Sequence, residues 1–252
     1  MRLPNAILCW MTIAVAASAG SAVRAADVYG TVMLANENGV STGQDLSRTV
    51  IYLEGHPALT GQPQGDGPQP QIVQRGKAFV PDLLVVAQGT SVEFPNWDPF
   101  SHNVFSRSRA AQFDLDRYEQ GQSKSYTFNN AGVVQIFCNI HPQMKAVVLV
   151  VPNGYFARAN GQGRYVLRDV PPGQYVLTAW RERAAETRQD ITVPSEGLRD
   201  VALILPAGMT RDVSESSVVR QRPSGGVERG LGVKRERLNL PVVGGAHPAP
   251  GR

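Results

Sequence analysis

A thiol, an imidazole and a thioether lie close together in the stretch CNIHPQM, at Cys138, His141 and Met144. These groups are soft or borderline metal ligands, and together they favour a copper ion. A copper site that carries electrons needs two imidazoles and one thiolate in a trigonal arrangement, with a weak thioether on the axis. The stretch supplies three of these four ligands, so the second imidazole must come from another part of the chain.

The second imidazole has few sources, because the chain contains four histidines. His102 is the best candidate, since it lies in FPNWDPFSHNVFS soon after a predicted strand. His56 lies in a loop-like stretch ahead of the strand-rich part, and His247 lies near the C-terminus. We expect His56 and His247 to be exposed to solvent. The predicted metal ligands are therefore His102, Cys138, His141 and Met144.

Each ligand also has a structural alternative. Cys138 is compatible with a buried core thiol, Met144 with core packing, and His141 with a turn before Pro142. Zinc is the competing metal, since it accepts cysteine and histidine, but methionine is not among its usual ligands. The combined pattern favours copper, with zinc binding and plain core packing as the alternatives.

The N-terminus has the features of a secretory leader. Arg2 precedes the apolar run AILCWMTIAVAASAGSAV, and VRA ends at Ala25 with small residues at the spacing of a cleavage site. We expect residues 1–25 to be removed and the mature chain to have no transmembrane segment. Cleavage would remove Cys9 and leave Cys138 as the single cysteine, so no internal disulfide could form. The predicted location is the periplasm, where a bound metal would protect this thiol.

The charge distribution does not favour nucleic acid as a partner. Residues 26–206 hold 15 basic and 17 acidic side chains and thus carry almost no net charge. Residues 207–252 hold 8 basic and 4 acidic side chains, scattered among glycine and proline. We expect this tail to be disordered and mildly basic, with a weak contact to the envelope or membrane surface as an alternative role.

Short strands separated by turns dominate the sequence. VYGTVML and RTVIYLEG alternate between apolar and polar residues, whereas KAVVLVVP is typical of a buried strand. The pattern predicts an all-β protein that contains a sandwich or barrel and a small second β-sandwich. The predicted organisation is a leader (1–25), an N-terminal β segment with a Pro/Gln-rich loop (26–73), a metal domain (74–152), a second β-sandwich (153–206) and the tail (207–252).

The metal domain resembles the cupredoxins, in particular their plastocyanin-like branch. The resemblance rests on VEFPNWDPFSHNVFS, with its His-Asn pair, and on FNNAGVVQIFCNIHPQM, where a Gly turn and a strand lead to Cys-x2-His. It implies a Greek-key copper domain with His102, Cys138 and His141 as equatorial ligands. Met144 would be the axial ligand. Asn103 would tie the two ligand loops together and tune the sulfur.

The ligand turn departs from the family pattern in its length. Two residues separate His141 from Met144, where the plastocyanin-like loop usually has four. The shorter turn leaves two donors for the axial position, the thioether of Met144 and the side-chain oxygen of Gln143.

The second predicted sandwich resembles the carboxypeptidase regulatory-like, transthyretin-type modules. The stretch FARANGQGRYVLRDVPPGQYVLTAW carries the Gly turn, the strand and the VPPG turn of that pattern. Such modules are structural or adhesive, and this stretch has no cysteine or histidine for catalysis. Because the predicted sandwich is short, residues 27–55 either complete its sheet or extend the metal domain.

The resemblance implies a mononuclear type 1 copper protein that carries one electron at a time, and the predicted leader implies that it is exported. Its partner would be a redox protein that docks near His141, with Phe100, Phe105 and Pro142 as an apolar rim. The alternative is a protein that carries copper, or has a structural role in the envelope, without a redox shuttle. An enzyme is disfavoured, because a lone type 1 centre has no open coordination position for a substrate.

Overall fold

The computed structural model describes residues 25–36, 39–41, 44–55, 59 and 69–206. These residues form seventeen β-strands and no α-helix, which confirms the predicted all-β class. Nowhere in this described part does a helix have the length and apolar character needed to cross a membrane. Outside it lie residues 1–24 of the predicted leader, the predicted tail (207–252), His56 and His247.

Most of the strands are short, as the many turn residues in the sequence predict. In chain order they are β1 (Ala26–Asn36), β2 (Gly39–Ser41), β3 (Val50–Glu54), β4 (Val73–Gln74), β5 (Phe79–Val80), β6 (Leu83–Ala87), β7 (Thr90–Pro95), β8 (His102–Ser108), β9 (Ala111–Tyr118), β10 (Ser123–Phe128), β11 (Gly132–Phe137), β12 (Lys145–Val151), β13 (Phe156–Arg158), β14 (Arg164–Val170), β15 (Gly173–Trp180), β16 (Thr187–Val193) and β17 (Leu198–Pro206).

The first sandwich consists of β4–β12. Its larger sheet has the order β6-β12-β11-β8-β9, in which β6 and β12 are parallel and the other pairs are antiparallel. Its other strands are β7 and β10, which pair with each other, and β4 and β5, which form a hairpin. Isolated bridges at Gln71, just before the hairpin, and at Gln74 connect this segment to the region of β7. Alternate side chains of these strands fill one apolar core. That core includes Phe94, Phe128, Ile136 and Val148.

The second sandwich combines strands from both ends of the described chain. β1 lies between β14 and β17 and also pairs with β2. In the other sheet β3 lies between β13 and β15, and β15 also pairs with β16. The N-terminal strands, whose place the sequence left open, therefore pair with strands from the C-terminal part. The core of this sandwich includes Ile51, Leu53, Leu167 and Leu177. Its likeness to carboxypeptidase regulatory-like modules stays a prediction.

A middle core joins the two sandwiches. Alternate residues of β12 enter different cores, since Val148 belongs to the core of the first sandwich and Leu149 to the middle core. β6 contributes to the middle core from the first sandwich, and β3 and β15 contribute from the second. Its buried members are Val50, Tyr52, Leu83, Val85, Val147, Leu149, Val151 and Trp180. The two sandwiches thus share apolar surface and are not joined only by a linker.

Candidate metal centre

Two neighbouring strands bring the first two predicted ligands together. His102 is the first residue of β8, and Cys138 follows the last residue of β11. These strands pair antiparallel through Phe105 and Phe137, so the start of one lies beside the end of the other. The Sγ of Cys138 is 3.9 Å from the Nδ1 of His102, and both side chains are buried.

His141 reaches the same place from the turn between β11 and β12. Its Nδ1 lies 3.1 Å from the Nδ1 of His102, and the two ring centroids are 4.8 Å apart. One ligand atom from each of His102, Cys138 and His141 lies within 4.8 Å of the others. Two imidazole nitrogens that face one another this closely repel unless a proton or a cation lies between them. The arrangement is therefore suited to a metal ion held by two nitrogens and a sulfur.

His141 is the most accessible of these three residues. His102 and Cys138 are buried, whereas His141 is half-buried at the surface. Partial removal of water, the adjacent His102 and the nearby Lys77 all lower the pKa of His141 from its ordinary value. The neutral imidazole, which is the form that binds a metal, is therefore favoured at neutral pH.

Met144 ends the ligand turn and is buried. Its side chain lies in the same core as Cys138, and its backbone N–H donates to the carbonyl of His141 at 2.9 Å. Gln143, the alternative axial donor, is exposed. The turn thus directs the thioether into the core that contains Cys138 and leaves the amide at the surface.

Asn103 connects the two segments that carry the ligands. Its Oδ1 accepts a hydrogen bond from the backbone N–H of Asn139, the residue after Cys138, at 2.7 Å. Its Nδ2 donates to the Oδ1 of Asp114 on β9 at 3.1 Å. The side chain of Asn103 is buried, whereas Asp114 and Asn139 are exposed, so both bonds are partly shielded from water. They tie the start of β8 to the turn that follows β11.

Asp98 is a residue of the site that sequence reasoning missed. One of its carboxylate oxygens lies 2.8 Å from the Nε2 of His102 and accepts the backbone N–H of Lys77 at 2.8 Å. The other oxygen accepts the backbone N–H of Gly76 at 2.6 Å. Burial alone would raise the pKa of Asp98, but the hydrogen bonds from Lys77, His102 and Gly76 outweigh it and hold the pKa below its ordinary value. An aspartate four residues before a candidate ligand becomes informative only when the β4–β5 hairpin is in place.

Buried amides and a tyrosine hold the loop between β7 and β8. Asn96 donates from Nδ2 to the carbonyls of Phe100 and Tyr118, at 2.9 and 3.2 Å. Its Oδ1 accepts the backbone N–H of Asp98 at 3.0 Å. The Nε2 of Gln74 donates to the Oη of Tyr118 at 2.6 Å. These bonds satisfy the polar atoms that take part in them and fix the loop that leads to β8, whereas the buried Oε1 of Gln74 has no hydrogen-bond partner.

Exposed apolar side chains come from the two loops next to the ligands. The ring of Phe100 lies against both imidazoles, with centroid distances of 5.2 Å to His102 and 5.5 Å to His141. Trp97 and Ile140, which come from the two loops that flank the site, are exposed, as is part of Phe100. We call Trp97, Phe100 and Ile140 the apolar rim.

The predicted rim differs in part from this one. Pro142 is exposed beside His141, as the prediction requires. Phe105, however, lies within β8 and packs against Phe137 at a centroid distance of 5.8 Å. Trp97 was missed, because only the loop conformation shows that its ring stays at the surface.

Residues 71–151 match the family model of copper binding proteins of the plastocyanin/azurin family. A cupredoxin domain therefore spans this segment, which ends with β12 and does not include β13–β17. The expectation of copper as the cofactor is confirmed, since the family is one of copper-binding proteins and His102, Cys138 and His141 are positioned as ligands.

Several solved structures are similar to part of the chain. A purple cupredoxin from Nitrosopumilus maritimus is 23% identical, and the match covers 32% of this chain and 99% of that one, with a TM-score of 0.30. The copper-containing nitrite reductase NirK from Thermus scotoductus SA-01 is 27% identical over 39% of this chain and 27% of the reductase, with a TM-score of 0.32. A mutant of amicyanin in its reduced Cu(I) form at pH 4 is 20% identical over 40% of this chain and 98% of that one, with a TM-score of 0.32. None of the curated proteins matches the chain.

Proposed function

We propose that the mature protein is an exported, mononuclear type 1 copper protein that carries one electron at a time. The observation that supports this most is the convergence of the Nδ1 of His102, the Nδ1 of His141 and the Sγ of Cys138. Two imidazoles and one thiolate suit both oxidation states of copper, so the ion can change its charge without changing its ligands.

Met144 is the proposed fourth, axial ligand. Its thioether is buried in the core that also contains Cys138, whereas the side chain of Gln143 is exposed. A long, weak axial thioether is the usual partner of the trigonal set, and copper bound in this way supplies the redox couple. The short turn between His141 and Met144 is therefore compatible with a complete ligand set.

The protein holds these side chains in place through hydrogen bonds that do not involve the metal. Asn103 links the two segments that carry the ligands, and Asp98 contacts His102. Asn96 fixes the loop between β7 and β8. A ligand set fixed in advance changes little when the metal gains or loses an electron. This rigidity supports electron carriage. We do not propose catalysis, because the four ligands leave no open position for a substrate.

The apolar rim around His141 is the proposed docking surface for a redox protein. His141 is half-buried, so electrons would enter and leave through its ring. Trp97, Phe100 and Ile140 supply the aromatic and aliphatic contacts that are typical of the centre of an interface. The Nζ of Lys77 lies 5.2 Å from the ring centroid of Phe100 and adds a positive charge to this surface. A partner with an acidic edge would complement it.

The proposed location is the periplasm, and this proposal rests on the predicted leader. A mature chain with one cysteine would have an unpaired thiol in an oxidising compartment. Cys138 is buried and lies beside two imidazoles, so a bound copper ion would occupy this thiol.

Loading the purified mature protein with copper(II) tests the proposal. We expect an intense visible band from sulfur-to-copper charge transfer and the electron paramagnetic resonance spectrum of a type 1 site. Repeated reduction and oxidation should restore the full band, and Cys138→Ser should abolish it. A colourless protein would favour zinc binding instead. Loss of copper on reduction would favour a role in copper carriage.

The axial ligand can be assigned with two matched variants. Met144→Leu should keep the visible band and raise the reduction potential, because loss of a weak donor disfavours copper(II) more than copper(I). Gln143→Leu should leave both the band and the potential unchanged, since Gln143 is exposed. Voltammetry of the two variants decides between them, and a shift in Gln143→Leu alone would assign the axial position to the amide.

A further inference from the structure

The carboxylate of Asp98 contacts the Nε2 of His102. The other ring nitrogen, Nδ1, is the proposed metal ligand. We propose that Asp98 is a positioning residue that holds His102 in the tautomer whose Nδ1 is free to bind, and that its charge favours copper(II) over copper(I). This inference rests on the proposed function and adds a residue that lowers the reduction potential of the same site.

The hydrogen bonds around Asp98 determine which nitrogen of His102 carries the proton. The two carboxylate oxygens accept the backbone N–H groups of Gly76 and Lys77, one each. Such a carboxylate is ionised, since hydrogen bonds donated to both of its oxygens stabilise the negative charge. An ionised carboxylate only accepts, so the Nε2 of His102, at 2.8 Å, must donate. The neutral ring then has its lone pair on Nδ1, the atom that faces the other two ligands.

The same contact places a negative charge close to the ligand set. The side chain of Asp98 is only 7% exposed, so water screens its charge weakly. A carboxylate that accepts from a ligand imidazole also makes that ring a stronger donor to the metal. Both effects stabilise the doubly charged ion more than the singly charged one, and both therefore lower the reduction potential.

Backbone groups of the β4–β5 hairpin also hold Asp98 in place. Gly76 and Lys77 lie in the turn of this hairpin. The backbone N–H of Trp97, the residue before Asp98, donates to the carbonyl of Gln74 at the end of β4, at 2.9 Å. Two backbone segments thus fix the carboxylate without any metal, which is the arrangement expected of a positioning residue.

The tautomer can be tested without copper. Nitrogen-15 NMR of the metal-free, wild-type protein should show that the tautomer of His102 with its proton on Nε2 predominates over the tautomer with its proton on Nδ1. Asp98→Ala should give a mixture of both tautomers, because the acceptor is lost. A wild-type ring with its proton on Nδ1 would overturn the proposal. Equal tautomer populations in the two proteins would overturn it as well.

The effect of the charge can be tested by a neutral amide. Asp98→Asn removes the charge and keeps one oxygen that can accept from His102 and Lys77, but the amide nitrogen that replaces the other oxygen cannot accept from Gly76. The ratio of copper(II) to copper(I) affinity should fall about tenfold, which raises a one-electron reduction potential by about 59 mV. The control Asp190→Asn removes an exposed carboxylate from β16 of the second sandwich and should leave the potential unchanged.

Thermal unfolding of the same proteins separates positioning from mere packing. A lower unfolding temperature for Asp98→Asn with an unchanged potential would make Asp98 a structural residue and overturn the proposal. If the wild-type protein shows no type 1 spectrum, the proposed function fails. The NMR measurement on the metal-free protein still decides whether Asp98 positions His102.

Discussion

The two sandwiches bury different kinds of side chain. In the first sandwich, six polar or charged residues are buried within a short part of the sequence, and elsewhere in the described chain three are buried. The six are Gln74, Asn96, Asp98, His102, Asn103 and Ser106, and the three are Thr49, Asn153 and Thr178. Burial of a polar group costs about 1–3 kcal/mol unless hydrogen bonds compensate it. Such a concentration of buried polar groups in one sandwich is not what folding alone favours.

The hydrogen bonds of these residues differ as well. Around His102 the buried side chains form a connected set, in which Asn96 bonds to the backbone of Asp98 and Asp98 contacts His102. The buried polar side chains Thr49, Asn153 and Thr178 do not bond to one another, and Thr178, for example, donates to the carboxylate of Glu54 at 2.7 Å. Strands and apolar cores are common to both regions, so connected buried polar groups are what distinguish a functional end from a structural one.

Removal of the second sandwich should have the largest effect. A chain that ends at Pro152 would lose β13–β17 and expose five apolar side chains of β6 and β12 that belong to the middle core. Each contributes about 1.5–3 kcal/mol on burial, and together they approach the whole stability of a domain, about 5–15 kcal/mol. We expect this protein to be unfolded or aggregated, as measured by circular dichroism and gel filtration.

A chain that ends at Pro206 is the control for this truncation, because residues 207–252 are predicted to lie outside every core. It should unfold at the same temperature as the full chain and bind copper equally well. A soluble, copper-binding protein that ends at Pro152 would show that the two sandwiches fold separately.

A smaller effect is expected from Trp180→Ala. Trp180 ends β15 and is buried in the middle core, so the change should destabilise the protein by about 3–5 kcal/mol, measured by urea unfolding. The folded protein should keep the copper spectrum of the wild type, because Trp180 does not belong to the core that contains Cys138 and Met144. An altered spectrum would show that the middle core transmits strain to the ligands.

The smallest and most specific effect should distinguish two buried asparagines. Asn103 and Asn153 each donate one hydrogen bond and each accept one backbone N–H, from Asn139 and Tyr155 respectively. Replacement of either by alanine should cost about 1–3 kcal/mol of stability. Only Asn103→Ala should change the copper spectrum and potential, since its bond reaches the residue next to Cys138. Equal spectral changes in both variants would remove the contrast between the sandwiches.

Much of the site was predictable because ligand chemistry depends on residue type. Cys138, His141 and Met144 lie within one turn, and few histidines compete with His102 for the remaining position. The continuous apolar run KAVVLVV likewise predicted a buried strand, and β12 is buried at every position after Lys145. Short patterns such as these need no knowledge of distant parts of the chain.

Asp98 and the middle core were not predictable in this way. The backbone donors that hold Asp98 come from a hairpin 21 and 22 residues earlier in the chain. The apolar run of β12 shows that both faces are covered, but not that the second face packs against β3 and β15. Contacts of this kind join segments that are distant in the chain, and no local sequence pattern shows that these segments will meet.

By itself, the sequence determined the all-β class and the types and spacing of the ligands in the turn after β11, because alternation and side-chain chemistry are local properties. The tertiary structure decided where the N-terminal strands pair, what covers the second face of β12, and which group meets the Nε2 of His102. Because several strands have similar composition, composition does not decide which of them pack together. The acceptor that meets the Nε2 of His102 depends on which group the folded chain brings within hydrogen-bond distance. These outcomes therefore depend on the folded arrangement of the whole chain.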